Sequence, residues 1–427
     1  LKVLLLGSGG RESALAWALA RSRVVTELVA APGNPGIARL AELSDVDPTD
    51  VSAVTDLASR VKPGLVVVGP EAPLVAGVGD KLRAEGYTVF GPDAAAARIE
   101  GSKAHSKELM DKAGIATGRW QRSTDVNEAI RYMDELGPPY VVKADGLAAG
   151  KGVVVTEDRT DAIRAVEERL IDRKFGDAGS SVVIEEFLDG EEASLIAFTD
   201  GRAIALCEPA QDYKRVGDDD AGPNTGGMGS YSPVPACPSD VAMSIAEEVI
   251  KPMVDVTAAR GAPFVGALYA GLALTSSGPK VVEFNARFGD PETQALLPRM
   301  GSDFGEVALA CASGELEGTK LEWRPEACVS VVLASQGYPG SYPTGEPIEG
   351  LDIASGMDDV VVFHAGTASD GDRVVTAGGR VLCVSALGAT FKDARKRAYE
   401  ATGAISFAGK YLRTDIAKRA ETAEASS

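Results

Sequence analysis

Histidine is nearly absent: the 427 residues contain 2, His105 and His364. That is too few for a His-based metal site and a poor basis for a Ser/His/Asp hydrolase. The 5 cysteines, Cys207, Cys237, Cys311, Cys328 and Cys383, are far apart, odd in number and form no CxxC pair. They argue against a disulfide or zinc framework and read as buried thiols. Positive charge is also short, with 43 Lys and Arg against 62 Asp and Glu, a net charge of -19, and no basic cluster. No nucleic-acid partner is expected on those grounds. No apolar run approaches the ~18 residues of a membrane span, since runs such as Val3 to Leu6 and Leu65 to Val68 have strand lengths, so no membrane association is expected either. The chain opens on a strand-like KVLLLG without a basic leader or a cleavage site, and its start at Leu1 reads as a cytoplasmic protein with an altered start. Chemistry must therefore rest on carboxylates, lysines, arginines and glycine loops.

At roughly 150 residues per domain the chain has room for about three domains. Residues 1 to about 100 alternate strand and helix signals (Lys2 to Leu6, Ser13 to Arg21, Thr26 to Ala30, Leu65 to Val68, Tyr87 to Phe90), which predicts an open parallel α/β sheet. Ser102 is a plausible N-cap for a helix running toward Lys112. Tyr140 to Lys143 and Val153 to Thr156 flank a glycine loop and read as a hairpin, Asp161 to Asp172 has helical spacing, and Val182 to Leu188 reads as a strand. Asp200-Gly201 is a hairpin-turn pair between Ser194 to Thr199 and Arg202 to Cys207. Asp218 to Pro233 reads as a long functional or mobile loop, with the acidic triplet 218–220 solvated. A helix from about Asp240 to Arg260, strands Val265 to Thr275 and Lys280 to Asn285, and a helix after Pro291 complete the middle. From Ala327 strands return (Val329 to Ala334, Val360 to Phe363, Val381 to Ser385), then a basic helix near Phe391 to Tyr399 and an Ala/Glu/Ser tail.

GSGGRE (Gly7 to Glu12), between a strand and a helix, is where an α/β sheet presents N–H groups to a phosphate. A dinucleotide fingerprint would want glycine at Glu12 and an acidic end to the second strand, where Ala30-Ala31-Pro32 stands, so a nicotinamide cofactor fits poorly. GPEAPL (Gly69 to Leu74) offers Glu71 at a second strand end. KADGLAAGKGVVV (Lys143 to Val155) is not a P-loop, being one residue short between glycines and flanked by strands; it reads as a hairpin tip able to close over a triphosphate with Lys143 and Lys151. In VVEFNARFGDPETQ, Glu283 and Asn285 at i and i+2 share one strand face and are hard oxygen donors of the kind Mg²⁺ prefers.

GSGGRE, GPEAPL, GSK, VVKADGLAAGKGV, EEFLDGEEAS, GPNTGGMG and EFNARFGDPETQ follow one another in a single chain. Together they resemble the glycinamide ribonucleotide synthetases, ATP-grasp enzymes of purine biosynthesis, over nearly everything from Lys2 to about Arg419. The resemblance implies an α/β and α+β multidomain protein. Its parts would be a Rossmann-like domain over 1–101 that binds phosphoribosylamine, an ATP-grasp core over 102–326 with a lid over about 120–188, and a β-rich domain over 327–427. It implies ligation of glycine to 5-phosphoribosylamine through glycyl phosphate by a monomer, with ATP as co-substrate and Mg²⁺, or Mn²⁺, as the metal.

Carried over by residue, Lys103 and Lys143 would hold ATP phosphates beneath the loop containing Gly146, Gly150, Lys151 and Gly152. Glu185 and Leu188 would meet adenine through their backbone, and Glu191 or Glu192 the ribose. Glu283 and Asn285 match the metal ligands, and Arg287 would stabilise transferring phosphoryl oxygens. Gly9, Gly10, Arg11, Glu12 and Glu71 would bind the phosphoribosyl group. Asp290, Asp212 and Lys214 would line the glycine and amine side. Ser13, Ala286 and Ala377 stand where the family has His, Cys and Asn, and the strand from Val265 lacks the further carboxylate that many ATP-grasp relatives place there. Read alone, His364 is a packed or capping residue and His105 faces solvent. Three rivals stand beside this reading: another ATP-grasp carboxylate-amine ligase of nucleotide synthesis, a dinucleotide-binding oxidoreductase, and a non-catalytic scaffold.

Overall fold

The computed structural model describes residues 1–148, 152–174 and 176–426. Its first sheet is parallel throughout, in the order Glu42–Leu43, Glu27–Pro32, Lys2–Gly7, Leu65–Val68, Val89–Phe90. Both faces of Lys2–Gly7 are covered, so it is apolar at consecutive positions instead of alternating. Chain order reverses on either side of Lys2–Gly7, and ligands of open α/β sheets gather at such a switch point. GSGGRE and GPEAPL leave the carboxyl ends of the two strands that meet there.

A second sheet is antiparallel, in the order Ile204–Leu206, Gly190–Asp200, Val265–Thr275, Gly278–Asn285. Against one end of it stands a small four-stranded sheet, Trp120–Ser123, Val182–Glu185, Tyr140–Ala144, Val153–Thr156, covered by helices Val126–Leu136 and Arg159–Leu170 and holding its own apolar cluster. A unit with a separate core can move as a body. Ser102 caps the helix Lys103–Ala113, accepting from the His105 N–H, as its sequence position predicts. Phe90 of the first sheet, Phe198 of the second, Phe288 and Phe304 form one aromatic cluster with centroids 5.4 to 6.2 Å apart. Such offset and edge contacts fix orientation as well as burying area, so the cluster sets where the chain leaves Asn285 relative to the N-terminal loops.

A third sheet takes Gln211–Asp212 and Gly229–Ser232 from the middle of the chain and Ala327–Ser335, Arg380–Gly388, Val360–His364 and Lys410–Tyr411 from its end. Residues 218–233 are therefore not one long loop. Arg215–Gly217 pairs with Ala221–Asn224, turned by Asp219 and Asp220 at positive φ, and Gly229–Ser232 is a buried strand. The acidic triplet is exposed, as expected, and is also paired, with Asp218 accepting from Thr414, and Asp220 from Arg413 and Arg419. Three other expectations shift. The tail forms a helix, Lys418–Ala425, tied down by Glu424 accepting the Phe391 N–H. The strand from Val182 ends at Glu185. The helix expected from Asp240 runs Ser239 to Ala259 with a π turn at Ala246–Ile250, just before Pro252, which has no N–H to give. All five cysteines are free and buried, and no helix among the described residues is long and apolar enough to cross a membrane.

Candidate active site

Glu12 is wedged between the two N-terminal loops. A Cβ at Gly7 or Gly69 would come within 2.5 Å of its side chain, so both glycines are required by the space this carboxylate fills. Its Oε2 accepts the Gly9 N–H at 2.7 Å and its Oε1 accepts from Arg11 Nε at 2.5 Å. The buried carboxylate at the helix start is thus balanced by the positive helix end and by Arg11. Arg11 also donates to Phe288 O at 3.3 Å. Ser13 faces away, its Oγ accepting the His364 N–H at 3.1 Å. His364 is buried and packed, as expected, and His105 is half-buried, partly open to solvent.

Facing these loops across the furrow is a buried ion triad. Lys107 and Lys143 both reach Glu185 Oε2, at 2.8 and 2.9 Å, and Lys143 also donates to Val282 O at 3.2 Å. Burial would raise the Glu185 carboxyl, but the two ammonium groups outweigh it and hold it below its ordinary value. Only Oε2 is used. Oε1 is buried with no partner, an acceptor costly to leave empty unless a donor arrives from the furrow. Lys103 starts its helix with Nζ 3.5 Å from Gly146 O, and burial lowers its affinity for a proton.

Between these two ends runs the strand Gly278–Asn285. Glu283 and Asn285 face the furrow, and neither side chain has a hydrogen-bond or ion-pair partner among the described residues. Burial would raise Glu283, yet Lys214, Lys143, Lys103 and Arg287 bring it down to about 2. Arg287 follows, its NH2 on Glu100 Oε1 at 2.8 Å and its Nε 3.3 Å from Glu71 Oε2. On the neighbouring strand Tyr269, opposite Asn285, donates to Glu292 Oε1 at 3.0 Å, where Ser194 also donates at 2.9 Å.

Lys214 pairs with Glu192. Beside them Asp212 is pushed up to about 8, chiefly by burial, with Glu292, Glu192 and Glu283 adding to it against Lys214. A carboxyl raised in the folded state binds its proton there more tightly than in the unfolded chain. Its contribution to stability is therefore full below the ordinary value of 3.8 and lost as pH rises toward 8. Asp212→Asn should remove that slope, so the stability difference between variant and parent is expected to change from pH 5 to pH 8 in urea titrations; parallel curves would refute it. Asp290 lies at the other end, accepting from Gln294 at 2.7 Å and pairing with Arg380 at 3.1 Å, close to Gly9 and Gly10. Its carboxylate is near the N-terminal loops, and it lines the same furrow as Asp212 and Lys214.

One furrow of about 710 Å³ is lined by Arg11, Glu71, Lys103, Lys143, Gly152, Glu185, Leu188, Glu191, Glu192, Asp212, Lys214, Glu283, Asn285, Arg287 and Asp290. Gly9, Gly10, Glu12 and Gly146 stand behind its wall, and Gly150 and Lys151 lie outside the described residues. Sequence reasoning gave no role to five further lining residues, Glu100, Lys107, Tyr269, Glu292 and Arg380. Lys107 had a signal, lying one helical turn beyond Lys103. Glu292 stood inside a motif quoted above but without a partner in view. Among the described residues no group of three or more His, Cys, Asp or Glu is placed to hold a metal.

A lysine-lined furrow clamped between a small mobile-capable sheet and a carboxylate-bearing antiparallel sheet defines an ATP-grasp enzyme. The biotin carboxylase domain of 2-oxoglutarate carboxylase from Hydrogenobacter thermophilus has this fold, with a TM-score of 0.75 at 18% identity over 96% of this chain and 91% of that one. The chain belongs to the phosphoribosylglycinamide synthetase family: the family's N domain matches residues 1–100, its ATP-grasp (A) domain 101–293 and its C domain 328–419. It is 50% identical over 424 residues to the phosphoribosylamine–glycine ligase of Rhizobium meliloti, covering 99% of this chain and 100% of that one. The crystal structure of the phosphoribosylamine–glycine ligase of Thermotoga maritima aligns with a TM-score of 0.85 at 34% identity, covering 97% of this chain and 100% of that one.

Proposed function

We propose that the protein ligates glycine to 5-phosphoribosylamine, using ATP and releasing ADP and phosphate, to make glycinamide ribonucleotide for purine synthesis. The observation that carries this is the position of Arg287. It is held by Glu71 and Glu100 from the N-terminal module, yet follows directly on the strand that presents Glu283 and Asn285. An amine delivered at the N-terminal loops and a phosphate delivered at the lysines would meet at this guanidinium.

In the first step the glycine carboxylate attacks the γ-phosphorus, a new O–P bond forms, the bond to the bridging oxygen breaks and ADP leaves. Lys103 and Lys143 orient the phosphates, and Glu185 Oε1 is an open acceptor for the base. Arg287 is a fixed cationic donor where charge develops. In the second step the ribosylamine nitrogen attacks the acyl carbonyl, C–N forms, C–O breaks, and phosphate and the amine proton depart. Asp212 and Lys214 line the glycine side, while Arg11 and Glu71 line the phosphoribosyl side. Glu283 and Asn285 fit Mg²⁺, or Mn²⁺, because both are unpartnered oxygen donors and Glu283 stays ionised; the bound cation would neutralise phosphate charge. The same reading makes the protein a cytoplasmic monomer, its mass in solution being testable by sedimentation.

ADP release is the test, measured with Mg²⁺, glycine and freshly generated phosphoribosylamine and with each omitted in turn. Release that requires both substrates supports the ligase. Release without glycine points to another acceptor acid, and none at all refutes the reading. Arg11→Ala should raise the KM for phosphoribosylamine with kcat little changed, since a phosphate contact is made alike in ground and transition states. An unchanged KM would remove the N-terminal loop from the site.

A further inference from the structure

Glu100 is 8% exposed, in the last turn of the helix Ala94–Gly101. Its carboxylate is shared between two different tasks. Oε2 accepts the Ala286 N–H at 2.7 Å, and Oε1 accepts from Arg287 NH2 at 2.8 Å. The ladder between Val265–Thr275 and Gly278–Asn285 stops at the pair Tyr269 and Asn285, so the Ala286 N–H lies just beyond the last paired residue. A buried N–H must find an acceptor, and Glu100 supplies it. One carboxylate thereby fixes the backbone immediately after Asn285 and the guanidinium that follows.

The remaining contacts of Arg287 are looser. Its Nε is 3.3 Å from Glu71, whose side chain is 28% exposed, and its NH1 is 3.2 Å from Phe288 O. An arriving phosphoryl group can take the place of Glu71. It cannot displace Glu100 without also freeing the strand end.

We infer that Glu100 is a positioning residue for the ligase reaction, aiming Arg287 at the transferring phosphoryl group. The inference rests on the function proposed above. Glu100 acts through Arg287, so its effect should vanish when Arg287 is gone.

The experiment is a double-mutant cycle of wild type, Glu100→Gln, Arg287→Ala and the double variant. ADP formation is measured in single turnover with enzyme in excess, so that slow rates remain readable, alongside steady-state KM for ATP. The glutamine keeps one carbonyl acceptor and turns an amide donor against the other N–H. The single variant is expected to lose about 10- to 100-fold in rate, the scale of a small misplacement of a reacting group, with KM for ATP within about threefold. In the Arg287→Ala background the same change should have no further effect. Losses that multiply in the double variant, or a Glu100→Gln rate within twofold of wild type, would overturn the inference. If Glu100→Gln does not fold, Glu100→Asp takes its place in the cycle, keeping charge and both acceptors on a shorter stem. A loss that disappears with Arg287→Ala supports positioning, and one that persists refutes it. An inactive wild type would instead overturn the proposed function, which separates the two failures.

Discussion

Glu283→Ala is expected to lower turnover by about three orders of magnitude, the loss of some 4 kcal/mol of transition-state stabilisation at about 1.4 kcal/mol per tenfold. The fold should survive. Among the described residues Glu283 has no ion pair of its own, while the lysines near it keep other partners, Lys143 with Glu185 and Lys214 with Glu192. What disappears is an anion held ionised, at about 2, beside a second oxygen donor on the same strand face. Since Glu283 is also one of the carboxylates that raise Asp212, the variant should bring the Asp212 carboxyl down from about 8. The checks are kcat across an Mg²⁺ titration and the thermal unfolding curve. A near-normal kcat at saturating Mg²⁺ would mean that the metal is held elsewhere.

For stability the largest effect is expected at Arg413. Its side chain is 0% exposed, yet its guanidinium makes two bonds to Asp415, one to Asp220 at 3.0 Å and one to Arg215 O at 3.0 Å, and stacks 4.7 Å from the Tyr213 ring centroid. Removing one member of a buried ion cluster leaves the others uncompensated and costs roughly 3–5 kcal/mol. Asp220 is partly open to water, so Arg413→Ala should fall at the lower end, about 3 kcal/mol. Arg413→Lys should recover little, because a single ammonium cannot reproduce the fork that engages Asp415 twice. Urea unfolding measures both, and a cost under about 1 kcal/mol would show that Asp220 and Asp415 are satisfied by solvent.

Local signals in the sequence located the regular elements well. Ser102 caps its helix, Asp200-Gly201 turns its hairpin, and the apolar runs from Lys2 and Leu65 lie side by side in a parallel sheet. Each of these is decided within a few residues. The acidic stretch at 218–220 is exposed, as expected, but its pairing with Arg413 and Arg419 is not legible in the sequence because they lie nearly 200 residues later. The same holds within the furrow. Glu283, Asn285 and Arg287 were conspicuous as a cluster along one strand, whereas Glu100 becomes significant only when the fold brings it 186 residues along the chain to Ala286. Lys107 is marked only by its spacing from Lys103, and burial gives it Glu185 and Thr117 as polar partners among the described residues. Pairings across such separations leave no periodicity to read.

The sheet that joins Gly229–Ser232 to Ala327–Ser335 imposes an order on synthesis. A ribosome delivers Gln211–Asp212 and its partner Gly229–Ser232 about a hundred residues before Ala327–Ser335, which covers the other edge of Gly229–Ser232, and Arg413, which donates to Arg215 O, follows later still. The nascent chain can complete its N-terminal sheet and the small sheet of residues 120–185 early, since each closes on itself. The furrow wall that carries Asp212 must wait for Ala327–Ser335. A chain released prematurely after residue 326 would carry Lys103 and Lys143 yet leave one edge of the normally buried strand Gly229–Ser232 open, a segment for chaperones or proteases to find.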